Sequence, residues 1–122
     1  PEEGAKLLKQ ALDSANQIQD DYSKNLALSA IAEVYIKQNQ PEEAKKILSQ
    51  AFDLAAKIGD TDQKTQALVS IAQAQANLKN WGEALTVTKK CSTHPCHVKS
   101  LAAVLTIHAE QQHPELKEDK EN

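Results

Sequence analysis

PEEAKKILSQAFDLAAKIGDTDQKTQALVSIAQAQANLKN, residues 41–80, decides how the chain is read, because it lies without gaps over residues 1–40, PEEGAKLLKQALDSANQIQDDYSKNLALSAIAEVYIKQNQ. The identical pairs are spread along the match and include Pro1/Pro41, Ala11/Ala51, Asp13/Asp53, Ile18/Ile58, Lys24/Lys64 and Ile31/Ile71. A third copy starts at Trp81, where WGEALTVTKK follows the pattern of PEEAKKILSQ, and it shortens by about four residues through the cysteine stretch. Self-similarity at a period near 40 points to stacked helical units, none of which can bury its apolar face alone.

Spacing within one copy describes two helices. Ala44, Ile47, Leu48, Ala51, Ala55 and Ile58 recur at three- and four-residue steps and line one helix face. Pro41, followed by Glu42 and Glu43, marks the start of that helix, where a missing N–H costs nothing and acids complement the macrodipole. Gly59 marks its stop, as a left-handed residue past the end. Asp60 or Thr61 then caps a second helix whose buried stripe is Ala67, Leu68, Ile71, Ala72 and Leu78. The pattern predicts six helices, roughly 2–19, 23–38, 42–58, 62–79, 82–93 and 97–112. They belong to one repeat domain, 1–113, with copies at 1–40, 41–80 and 81–113, and the polar stretch 114–122 is expected to be a disordered tail.

Composition agrees with an all-α fold. The 122 residues include 18 alanines, no arginine and only four aromatic residues, Tyr22, Tyr35, Phe52 and Trp81. Helix formers dominate and the residues that strands favour are thin. Burial must therefore come from small side chains that let helices approach closely. A net charge of −3 with both signs interspersed is a solubility charge, not a field for nucleic acid, and the missing arginines remove the bidentate fork that reads bases and phosphates. No apolar run is long enough to span a bilayer, so membrane insertion is not expected and the chain reads as soluble.

Catalysis finds no motif. No serine stands in a glycine-rich elbow, and Gly4, Gly59 and Gly82 are too scattered to cradle a phosphate. Neither an enzyme nor a cofactor is expected. The chemistry-bearing stretch is KKCSTHPCHVK, residues 89–99, which holds both cysteines. Repeat alignment puts Cys91 in the slot of Ala51 and Ala11, a small buried position near the end of a helix that Pro95 then terminates. Three readings stay open: structural thiols, a Cys91–Cys96 disulfide across a tight turn, or a metal held by Cys91, His94, Cys96 and His97. His108 and His113 read as surface residues, Tyr35 and Phe52 as core, and Trp81 as a clamp between helices.

From Asn25 to Ala56, the residues Leu28, Ile31, Ala32, Tyr35, Ala44, Leu48 and Ala51 fall at the spacing of the tetratricopeptide repeat signature, which the chain resembles over nearly its whole length. The next unit matches at Leu68, Ile71, Ala72, Ala84 and Cys91, with Gln75 where an aromatic is usual, and the period is 40 instead of the family's 34. The resemblance implies a right-handed α-solenoid of antiparallel helix pairs, a long-period variant of the family. It also implies a scaffold whose concave face, lined by the first helix of each pair, holds a peptide or a partner protein.

Ser29, Glu33, Ile36, Lys37, Gln66, Val69, Gln73, Ala76 and Asn77 would then face the groove. Relatives that clamp acidic carboxyl tails place lysine and asparagine there, so Ser29 and Glu33 disfavour that ligand. On this framing the chain opens on a second helix and closes on a first one, as expected of a fragment of a longer array, and its end helices are candidates for self-association. The alternative function is a redox- or metal-responsive helical module using Cys91 and Cys96. The cytoplasm is the favoured location unless those two are bridged.

Overall fold

Six α-helices and no strand make up the described residues, 2–115, of the computed structural model. They are α1 (Glu2–Asn16), α2 (Asp21–Lys37), α3 (Pro41–Ala55), α4 (Thr61–Asn77), α5 (Trp81–Thr88) and α6 (His94–Gln112). Of the predicted tail, Pro114 and Glu115 are described, with the Glu115 carboxylate 3.4 Å from His113 Nδ1. Residues 116–122 lie outside the described residues.

Local chemistry sets the boundaries. Asp20 caps α2 by accepting from the Ser23 backbone N–H at 2.9 Å, and Asp60 caps α4 through the Gln63 N–H at the same distance. The Ser23 amide, and secondarily its hydroxyl, hold the Asp20 carboxyl below the ordinary carboxylate range. Thr93 caps α6 in the same way, through the Cys96 N–H at 3.2 Å. Pro41 opens α3 at a position where its missing N–H is harmless.

Three expectations need correction. Gly59 is not left-handed; the positive φ angles belong to Asn39 (60°) and Lys79 (61°), just past α2 and α4. In each case the left-handed turn lets the next amide bond back, Gln40 to Tyr35 O and Asn80 to Gln75 O, both at 2.9 Å. The fifth helix ends at Thr88 rather than near 93, and Pro95 begins α6 instead of ending α5. Proline disrupts an i→i−4 bond only inside a helix, and here it occupies the first turn behind a threonine cap. Caps forty residues apart at Asp20 and Asp60, but thirty-three apart at Asp60 and Thr93, make the third unit seven residues shorter, not four.

Packing produces a row and a cover. α4 lies against α2 on one side and α6 on the other; α3 is seated on α2 and α4, α5 on α4 and α6, and α1 on α2. Alanines make this approach close: Ala32, Ala44, Ala51, Ala55, Ala67, Ala72, Ala74, Ala76 and Ala84 have no exposed surface. Leu28, Leu48, Leu68 and Ile71 fill the spaces between them. Asn25, fully buried, donates from Nδ2 to Ala51 O and so fixes the antiparallel register of α2 on α3. With equal rise along both helices, that bond brings Leu28 level with Leu48 and Ala32 level with Ala44.

Candidate partner-binding groove and the cysteine turn

Side chains that recur at three- and four-residue steps share a helix face. On α4 one such face carries Asp62, Thr65, Gln66, Val69 and Gln73; on α6 another carries Lys99, Ala102, Ala103 and Thr106. The two face each other across an open groove of ≈ 630 Å³. Among the described residues, its only formal charges, Asp62 and Lys99, stand in the first two turns of the two helices. Amides and small apolar side chains fill the middle, and an amide can both donate to and accept from a peptide backbone.

Of the predicted face residues, Gln66, Val69 and Gln73 come together in this groove. Asn77 and Glu33 meet elsewhere: Asn77 Nδ2 donates to both carboxylate oxygens of Glu33 at 3.3 Å and stitches α4 to α2. Lys37 is exposed near the end of α2, and Ile36 is half-buried. Ser29, at 5% exposure, and Ala76, fully buried, do not belong to any exposed face. Both are too small to reach past the helices packed on either side. Gln111 Nε2 donates to Ala76 O at 3.3 Å, so α6 bridges back to α4 beyond the groove.

Asp62 and Thr65 escaped the sequence reading although the stripe of Gln66, Val69 and Gln73 extends directly to them. Lys99, Ala102, Ala103 and Thr106 were out of reach, since placing them requires the register of the shortened third unit.

The cysteine turn takes a different shape from the one expected. Cys91 is not in a helix but in the connection after α5, and it is half-buried; Cys96, in the first turn of α6, is the fully packed one. Their sulfurs are bonded to each other, with the α-carbons 5.5 Å apart. Ser100 Oγ lies 3.6 Å from Cys91 Sγ and donates to His97 O at 3.1 Å, while His97 Nδ1 is 3.1 Å from Thr88 O. The turn is thus tied to both helices that flank it. With the sulfurs joined neither thiolate is free for a metal, and among the described residues no group of three or more His, Cys, Asp or Glu could hold one. His94 is exposed.

Trp81 and His108 complete the α5/α6 contact. Their rings meet edge to face, with centroids 4.9 Å apart and planes at 73°. Trp81 is half-buried against the core, so His108 is an exposed residue with a packing partner rather than a bare surface histidine.

No helix among the described residues is long and apolar enough to cross a membrane. No protein-family model, no curated protein and no solved structure matches the chain.

Proposed function

We propose that the chain is a non-catalytic protein-interaction scaffold of the tetratricopeptide-like kind, an α-solenoid that takes an extended peptide or partner segment along α4 and α6. The observation that carries this reading is the open groove of ≈ 630 Å³ between those helices, lined by amides, small apolar side chains and one charge of each sign. Such a lining suits a ligand recognised through its backbone, with side-chain selection by shape rather than by charge. The packing of α2, α4 and α6 in a row, with α3 and α5 each seated on two of them, supports the solenoid reading.

Selection from a displayed peptide library, followed by affinity measurement, tests it. Ala103→Arg should fill the groove and weaken a selected peptide by at least about tenfold. Lys46→Gln, on the outer face of α3, should leave affinity unchanged. A library that yields no binder, or binders indifferent to Ala103→Arg, would sink the proposal.

A second reading, a redox-responsive module, is favoured by one observation: the disulfide ties the connection to the first turn of α6, one turn before the groove residue Lys99. On this reading a reductant changes peptide affinity as well as stability. Equal affinity of the oxidised and reduced chains would remove it.

A further inference from the structure

The row helices can be aligned on their caps, because Asp20, Asp60 and Thr93 each accept from the backbone N–H three residues on. Asn25, Thr65 and Val98 then correspond, as do Leu28, Leu68 and Leu101, and Ala32, Ala72 and Leu105. In α2 this stripe lies under α3, bonded to it through Asn25, and in α4 both Leu68 and Ala72 are buried. In α6 the two ends of the same stripe are bare, Val98 and Leu105 each 64% exposed, with Leu101 half-buried between them.

The outer helices show a matching gap. Ile47 of α3 is 3% exposed and Val87 of α5 1%, whereas Leu7, at the same position in α1, is 57% exposed. Ala11 is exposed too, where α3 has the buried Ala51. The cause is seating: α3 and α5 each rest on two row helices, and α1 rests on α2. Among the described residues, α1 is therefore an outer helix seated on one row helix, and α6 a row helix without an outer cover on this stripe.

We propose that copies of this chain join head to tail, α1 of one copy covering the bare stripe of α6 of the next. A second copy is the occupant because α1 repeats the sequence of α3, the helix that covers this stripe on α2. Transferring the α2/α3 register sets Val98 level with Ala11 and Leu105 level with Gly4. Leucine is three carbons larger than the alanine it replaces, and glycine is one carbon smaller than Ala44, so part of the bulk gained on one side is given back on the other. Val98 replaces Asn25, leaving an all-apolar contact that needs no buried hydrogen bond. The two surfaces differ, so the contact is heterologous and extends into open rows of copies rather than closing as a dimer.

Sedimentation velocity over a concentration series tests this, using the intact chain and two variants at exposed positions, Leu7→Glu and Leu105→Glu, with circular dichroism confirming that both fold. The intact chain should form a concentration-dependent ladder of species. Each variant alone should be a monomer, having lost one face. Mixed in equal amounts, the variants should form a dimer and nothing larger, since the Leu105→Glu copy still offers α1 and the Leu7→Glu copy still offers α6. An intact chain that stays monomeric, one that stops at a closed dimer, or a mixture that stays monomeric overturns the proposal.

Discussion

Asp20 and Lys79 show how much single positions control at the ends of these helices. The Asp20 carboxylate accepts from both the amide and the hydroxyl of Ser23, and its pKa is lowered in the folded chain. A carboxyl depressed by folding stabilises the fold above its unfolded pKa, and that contribution fades as pH falls through the folded value. Asp20→Asn keeps a capping oxygen without the charge. The melting advantage of the native chain over Asp20→Asn should therefore be steady near neutrality and shrink on acidification below the ordinary carboxylate range; a constant difference across that range would show that the cap does not titrate.

Lys79 holds a left-handed φ of 61° without glycine's freedom. Lys79→Gly is expected to raise stability by about 1 kcal/mol in chemical denaturation, and Asn39→Gly by less, because asparagine already tolerates that region. The sequence offered Asp60 or Thr61 as the cap of the second helix, and the bond from the Gln63 N–H decides for Asp60. The sequence pointed wrongly to Gly59 as the left-handed residue, because α3 ends in a turn that keeps negative φ and the left-handed step belongs to Asn39 and Lys79, of which only the asparagine carries a signal.

At the level of elements, the α5–α6 connection differs most from a simple repeat. Its disulfide spans a sequence separation of 5, which restricts the unfolded chain by about 2 kcal/mol on the loop-entropy estimate. A Cys91→Ser/Cys96→Ser chain should lose about that much in urea titration, and reductant should lower the intact chain to the same level while leaving the variant unmoved. Thr93→Ala, removing the cap of α6, should cost a further ~1 kcal/mol. Six helices and their order were legible from the internal repeat, the apolar periodicity and the start and stop signals together. The short α5 was not, because Thr88 and Pro95 each have two roles open to them in sequence: continuing one helix or starting the next. Only the cap on Cys96 N–H and the pairing of the sulfurs decide between those roles.

Across the whole molecule the closeness of the helices rests on alanine, and a change of side-chain size at one stripe position should read differently in the middle of the row and at its end. Ala72→Leu overpacks the fully buried contact between α4 and the outer helices and should cost roughly 1–3 kcal/mol. Leu105→Ala, at the corresponding position of α6, should change monomer stability by no more than about 0.5 kcal/mol in chemical denaturation, because its side chain stands in solvent. The gap between these two values measures how far the cover extends along the row.

The α4/α6 groove also has a direction. Asp62 and Lys99 line it toward the helix starts, and Gln111 donates to Ala76 O past its far end, beyond Gln73 and Thr106. On the proposed peptide-binding reading, a segment lying in it runs from the charged end to the Gln111 bridge. One end of that segment then faces the positive ends of the two helix dipoles and the other faces the Gln111 bridge. If the proposed binding holds, shifting a bound sequence by a single residue is felt at the bridge before it is felt along the walls.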